Sequence, residues 1–228
     1  MNREEILNEL KSFYDQSSVE GMKKGGINPD KVFGVKIPIL RKMAKKIKTN
    51  HDLAQELWDL GFRETMILAA MIDDPTQVTE EQMEKWVISK YFSYWEVVDQ
   101  TCMNLFYLTK FAYEKAIEWS SRKEEFVKRA AFALMAVLAW KDKKAENSKF
   151  ETFFTYINKE SVDDRNNVKK AINWALRQIG KRNLHLNIKA CEVAKEILEM
   201  ESKSSKWIAR DAIKELESDA IQERLREN

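Results

Sequence analysis

The placement of helix breakers constrains this chain more than any other feature. All three prolines and five of the six glycines lie before residue 76. Proline removes a backbone donor and glycine gives up the most conformational freedom on folding, so a long run almost free of both favours helix. Strand-like alternation is absent. Arg3 to Tyr14 reads as a first amphipathic helix. Residues 17–36 read as irregular, with Gly25, Gly26, Asn28, Pro29 and Gly34, and Pro38 sits near a helix start. Helices then follow in pairs: 51–59 and 63–73, 79–90 and 93–109, 111–120 and 124–141, 147–157 and 165–181, 185–200 and 204–216.

The second members of the later pairs look alike. Phe126-Val-Lys-Arg-Ala-Ala, Asn167-Val-Lys-Lys-Ala-Ile and Trp207-Ile-Ala-Arg-Asp-Ala align, and their basic positions Arg129, Lys170 and Arg210 are 41 and 40 residues apart. A period near 40 with two helices per repeat is a HEAT-like signature. The expected fold is all-α, a HEAT-like helical-repeat solenoid (an α-α superhelix). It should be C-shaped, with about six helix pairs, as a single domain over residues 1–228. The second helices of such a stack commonly line its concave face, which would put Arg129, Lys170 and Arg210 on one inner surface.

The segment Arg165 to Asn183 carries six basic residues and no acid. At helical spacing Val168, Ala171, Ile172, Ala175, Leu176 and Ile179 form one apolar stripe. Lys170, Trp174, Arg177 and Lys181 form a stripe opposite. A tryptophan among cations has two readings: it packs on a neighbouring helix and covers lysine stems, or it is an aromatic plate in an anion-binding surface. The second suits nucleic acid, whose backbone attracts Lys and Arg and whose sugars and bases offer faces to stack on. Because the net charge is only +2, that reading needs the positive charge gathered on one face. Lys23 to Lys48, with nine basic residues and one acid, could equally be a solvated face. Another second helix begins SYWEVVDQTC, where Trp95 and Asp99 are i and i+4 and share a face. That pair could be core and salt bridge, or a site.

Other chemistries find little support. Two cysteines, Cys102 and Cys191, and two histidines, His51 and His185, give no metal spacing and no triad. No phosphate loop is present, and GMKKGG at Gly21 lacks the required spacing. No metal and no cofactor is expected. The start MNREEILNEL carries acids where a signal peptide would be basic and then apolar, and no apolar run approaches ~18 residues. The expectation is a cytoplasmic protein with no membrane partner.

Taken together, these residues resemble the AlkD-like DNA alkylation repair family, HEAT-like-repeat glycosylases that remove alkylated purines. The resemblance runs from Gly34-Val-Lys-Ile-Pro through Arg182. The family's aromatic-rich signature, with an aspartate four residues after a tryptophan, resembles Tyr94-Trp95-Glu96-Val97-Val98-Asp99. Its arginine before two alanines resembles Arg129 with Ala130 and Ala131. Its Lys-Ala-Ile-x-Trp-x-Leu-Arg helix resembles the segment from Lys170 through Trp174 to Arg177. Tyr94 and Glu96 stand where the best-known members carry Trp and Asp.

The resemblance implies Asp99 as catalytic carboxylate, Trp95 and Trp174 flanking the sugar, and Arg129 contacting DNA. With the basic residues above, the expected DNA-binding set is Arg129, Lys170, Arg177, Lys181, Arg210 and Tyr94. The implied activity is hydrolysis of the N-glycosidic bond of N3- or N7-alkylated purines in double-stranded DNA, by a monomer. The family grips the backbone while the lesion stays stacked. The residue chemistry agrees: an alkylated purine is already cationic and leaves without an acid, so one carboxylate can suffice. Two other readings stand beside this one, a non-catalytic HEAT module binding damaged or distorted DNA and a protein-interaction scaffold.

Overall fold

A computed structural model describes residues 1–227. Among them the chain is all-helical, with fourteen α-helices, three short 3₁₀ turns and no strand. Two compact units divide it, Met1–Thr109 and Lys110–Asn228.

The first unit holds α1 (Arg3–Ser12), α2 (Gln16–Lys24), α3 (Ile37–Ile47), α4 (His51–Asp59), α5 (Arg63–Ile72), α6 (Glu80–Val87) and α7 (Trp95–Asn104). Short polar residues start many of them. Asn2 and Glu5 form a reciprocal capping box on α1, while Asn50 and Thr79 accept from the backbone N–H three residues on in α4 and α6. Residues 17–36 are not wholly irregular. Asp15 caps α2 through Ser18, and Val19 is the only buried residue of that helix. The glycines obscured it, and α2 ends at them. Gly34 has φ +81, and a Cβ there would meet the Asp15 carbonyl oxygen at 2.5 Å, so both conformation and space require glycine. The expected long helix over 93–109 stops at Asn104. The Asn104 side-chain amide donates to the Gln100 carbonyl at 2.6 Å, drawing that acceptor away from the helical ladder, and only a 3₁₀ turn follows. The core of this unit is rich in aromatics. Trp58 of α4 and Trp86 of α6 stack with centroids 3.8 Å apart.

The second unit holds α8 (Ala112–Glu118), α9 (Glu125–Lys141), α10 (Asn147–Glu160), α11 (Asn166–Gly180), α12 (Leu184–Leu198), α13 (Lys203–Leu216) and α14 (Asp219–Arg226). The last was not foreseen. The second helices of the repeats pack on one another, α9 on α11 and α11 on α13. Every residue of α9 from Val127 to Ala139 is buried, so its sequence shows no polar face. Its alanines, Ala130, Ala133 and Ala136, let neighbours approach closely. Gly180 does the same at the end of α11, where a Cβ would stand 2.8 Å from Leu216 of α13 and 2.9 Å from Ala190 of α12.

Candidate functional site

In the first unit the candidate residues gather at the start of α7. Tyr94 is the N-cap, Trp95 the first helical residue, and Asp99 one turn further along the same face. Trp95 is 42 % exposed, an unusual state for an indole, whereas Asp99 is 9 % exposed. Tyr94 is buried, with its ring 5.7 Å from that of Trp95. Burial raises the Tyr94 hydroxyl above its usual range, and the Glu96 carboxylate adds to the effect. Tyr94 also forms part of the wall of a cavity of about 370 Å³, with Asn28, Lys31, Arg63, Lys90 and Tyr91.

A buried ionic lattice fixes this helix start. Glu64 is fully buried and accepts from the backbone N–H groups of Phe33, Gly34 and Val35 at 3.0–3.1 Å. The Arg63 Nη1 donates to Glu64 and to the Val35 carbonyl, both at 2.9 Å. Its Nε donates to Glu96, in the first turn of α7, at 2.7 Å. Three segments distant in sequence are thus tied at one guanidinium. With acceptors at Nε, Nη1 and Nη2 of Arg63, such a pair holds geometry that a single exposed bridge would not. Sequence reasoning missed it. The available signal was an Arg-Glu pair opening the most apolar helix of the first unit, and a Glu beside Trp95.

The second unit carries the rest. Trp174 on α11 is half-buried. With the Gln178 amide oxygen turned toward them, Trp174 Nε1 and Lys181 Nζ both donate to it, at 3.2 and 3.3 Å. Lys170 is exposed, but the stripe it begins is partly committed. Arg177 and Lys181 both bond Glu215 of α13, Lys181 at 2.5 Å, and Arg177 also stands 3.6 Å from Asp211. Burial pushes the Glu215 carboxyl up, but the hydrogen bonds from Lys181 and Arg177 outweigh it and hold it below the usual range. Arg165 bonds Asp163 and the Lys123 carbonyl, and Arg182 bonds the Ala139 and Ala145 carbonyls.

Arg129, Lys170 and Arg210 align in sequence but differ in setting. Arg129 is 6 % exposed and donates to the Asn167 carbonyl at 2.7 Å, because α11 packs across it, while Lys170 and Arg210 are exposed. Arg210 belongs to a second cationic surface on α13 with Trp207.

A sequence model of the family described as DNA alkylation repair enzyme matches residues 6–216. This chain belongs to the DNA alkylation repair enzyme family. A solved structure described as "A new family of proteins related to the HEAT-like repeat DNA glycosylases with affinity for branched DNA structures" matches it with a TM-score of 0.77. The match covers 94% of this chain and 95% of that one, at 22% identity. At that identity the likeness is one of fold, and it establishes the HEAT-like architecture expected from the repeat spacing. No curated protein matches the chain. As a DNA alkylation repair family member, the chain carries Tyr94, Trp95 and Asp99 in its first unit and Arg129, Lys170, Trp174, Arg177, Lys181 and Arg210 in its second. No helix among the described residues is long and apolar enough to cross a membrane.

Proposed function

We propose that this family member is a monofunctional DNA glycosylase that hydrolyses the N-glycosidic bond of N3- and N7-alkylated purines, acting as a monomer on double-stranded DNA. The observation that carries the reading is the start of α7, an exposed Trp95 and a nearly enclosed Asp99 on one face of a helix fixed by Arg63 and Glu96. Breaking the bond builds positive charge on the deoxyribose. The Asp99 carboxylate stabilises that charge and orients the attacking water; with little water around it, its field is weakly screened. The alkylated base is already cationic and departs without a proton donor. Trp95 and Trp174 offer indole faces to the cationic sugar, each worth about 0.5–2 kcal/mol. Lys170, Arg177, Lys181, Arg210 and Arg129 supply the positive groups for the phosphate backbone.

The test is single-turnover excision from a duplex with one N7-methylguanine, measured beside binding to the same duplex. Asp99→Asn keeps the shape and removes the charge. Excision should fall on the order of 10²-fold or more, with binding nearly unchanged, since a carboxylate adds nothing to phosphate affinity. Trp174→Ala should lower the rate by less. Equal excision by wild type and Asp99→Asn refutes the catalytic assignment.

A second reading has a specific observation behind it. The structurally similar protein is described by its affinity for branched DNA, and the α13 surface of this chain is cationic with an exposed indole. A wild type that binds DNA and excises nothing would support a non-catalytic binder of distorted DNA.

A further inference from the structure

On the solvent-exposed face of α13, Lys203, Lys206, Trp207, Arg210 and Lys214 fall at i, i+3, i+4, i+7 and i+11, one continuous stripe along the helix. The opposite face, with Ser204, Ser205, Ile208, Ala209, Ala212 and Leu216, is buried. The helix has therefore satisfied its packing, and the stripe is surplus to it. Trp207 is 40 % exposed at the centre of a groove of about 480 Å³ walled by those cations and Asp211. A fifth cation reaches in from α11, with Lys169 Nζ 5.6 Å from the Trp207 ring centroid. Asp211 is the single acid in the groove wall, and it faces Arg177 at 3.6 Å. Among the described residues no ion pair engages Lys203, Lys206, Arg210 or Lys214, in contrast to Arg177 and Lys181 on the neighbouring helix.

We infer that this stripe is a binding site for unpaired DNA, in which an unstacked base lies on Trp207 and the flanking phosphates lie on the lysines and Arg210. Charge selects a polyanion. The indole selects among polyanions: a closed duplex offers phosphates to the cations but no base face to the ring, whereas a single-stranded segment offers both. Every base has a π-face, so stacking of this kind is tolerant of sequence, and cation and aromatic together are the usual composition of a single-strand platform. The site shares Arg210 with the proposed duplex-binding set and needs no lesion.

The test uses the full chain and undamaged DNA, so its outcome does not depend on excision. Binding is measured to a blunt duplex, to the same duplex with an overhang of about six thymidines, and to that duplex with an overhang of abasic nucleotides. Wild type should bind the thymidine overhang on the order of tenfold more tightly than the blunt duplex, and the abasic overhang should lose most of that gain while keeping its phosphates. Trp207→Ala should erase the preference and leave blunt-duplex affinity within about twofold; Trp207→Phe, which keeps a ring, should retain most of it. The abasic arm asks the question of the wild-type protein, so it stands even if a Trp207 variant is unstable. Equal binding to thymidine and abasic overhangs, or equal binding to blunt and overhanging duplex, would reduce the stripe to a plain polyanion surface and overturn the site. Loss of blunt and overhang binding to the same extent in Trp207→Ala would do likewise.

Discussion

Two charge networks, one in each unit, are built in different ways. In the first, Arg63 and Glu64 are enclosed and Glu96 closes the network from its partly exposed edge: a guanidinium lies 2.7–2.9 Å from two carboxylates and a carbonyl, and three backbone N–H groups lie on Glu64. In the second, Arg177, Lys181, Glu215 and Asp211 meet on a half-exposed seam between α11 and α13. The enclosed lattice cannot exchange partners without leaving a charge buried and alone, so it is fixed. The seam is partly open to solvent and so better screened, and a phosphate could compete with Glu215 for the same cations. The difference separates residues that hold a site in shape from residues able to meet a ligand.

Removing Glu64 tests the enclosed side and should give the largest effect. Glu64→Ala leaves the Arg63 guanidinium without one carboxylate and strips three backbone N–H groups of their acceptor. Breaking a buried pair from one side typically costs about 3–5 kcal/mol. Urea unfolding should show a loss of that order, and excision by the surviving folded fraction should fall as α7 loses its anchor. A loss below about 1 kcal/mol, the range of exposed pairs, would mean the lattice is not structural and would erase the contrast between the two networks.

Releasing the half-exposed seam should act on binding rather than stability. Glu215→Gln keeps the shape and frees Arg177 and Lys181. Stability should shift by no more than about 1 kcal/mol. Duplex binding should strengthen severalfold. The plot of log affinity against log salt should steepen by up to about two contacts, each contributing roughly 0.9 to the slope. If affinity and slope stay put, Arg177 and Lys181 are structural cations, and the phosphate contacts belong to Lys170 and the α13 stripe instead.

What was legible in the sequence follows the same division. Helical architecture could be read because the breakers sit early and the motif around Arg129, Lys170 and Arg210 recurs every 41 and 40 residues. The Trp95–Asp99 pair was legible because four residues on one helix is a local relation. The glycines at 25 and 26 masked α2, which rests on one cap and one buried valine. The break at Asn104 was hidden because it depends on a side chain competing for a backbone acceptor. Tertiary ion pairs were invisible in principle. Glu215 lies 38 residues from Arg177, and Glu96 lies 33 from Arg63, so neither helix alone reveals that its cation has a partner. The difference in setting among the aligned basic positions was hidden for the same reason. Arg129 bonds the α11 backbone, whereas Arg210 is exposed in the groove beside Trp207.

The smallest effect expected is the pH response of the seam. Glu215 keeps a carboxyl held below its usual range, against the upward push of burial, by hydrogen bonds from Lys181 and Arg177. Its folded form therefore releases a proton more readily than its unfolded form. The stability it contributes is fully present above the unfolded carboxyl value of roughly 4.3 and is lost as pH falls through the lower folded value. Between pH 7 and about 5 the seam should thus be indifferent to acid, and the change should fall below that window. Comparing wild type with Glu215→Gln by urea unfolding across this range isolates the group. Both should track each other near neutrality, and wild type should lose more stability than the variant as the solution becomes more acidic. Duplex affinity should move the opposite way, rising in wild type as Glu215 protonates and releases its cations, with no matching rise in Glu215→Gln. A difference between the two proteins that stays constant down through the acid range would mean that Glu215 is not held by its partners, and the seam would then be too loose to restrain Arg177 and Lys181 at all.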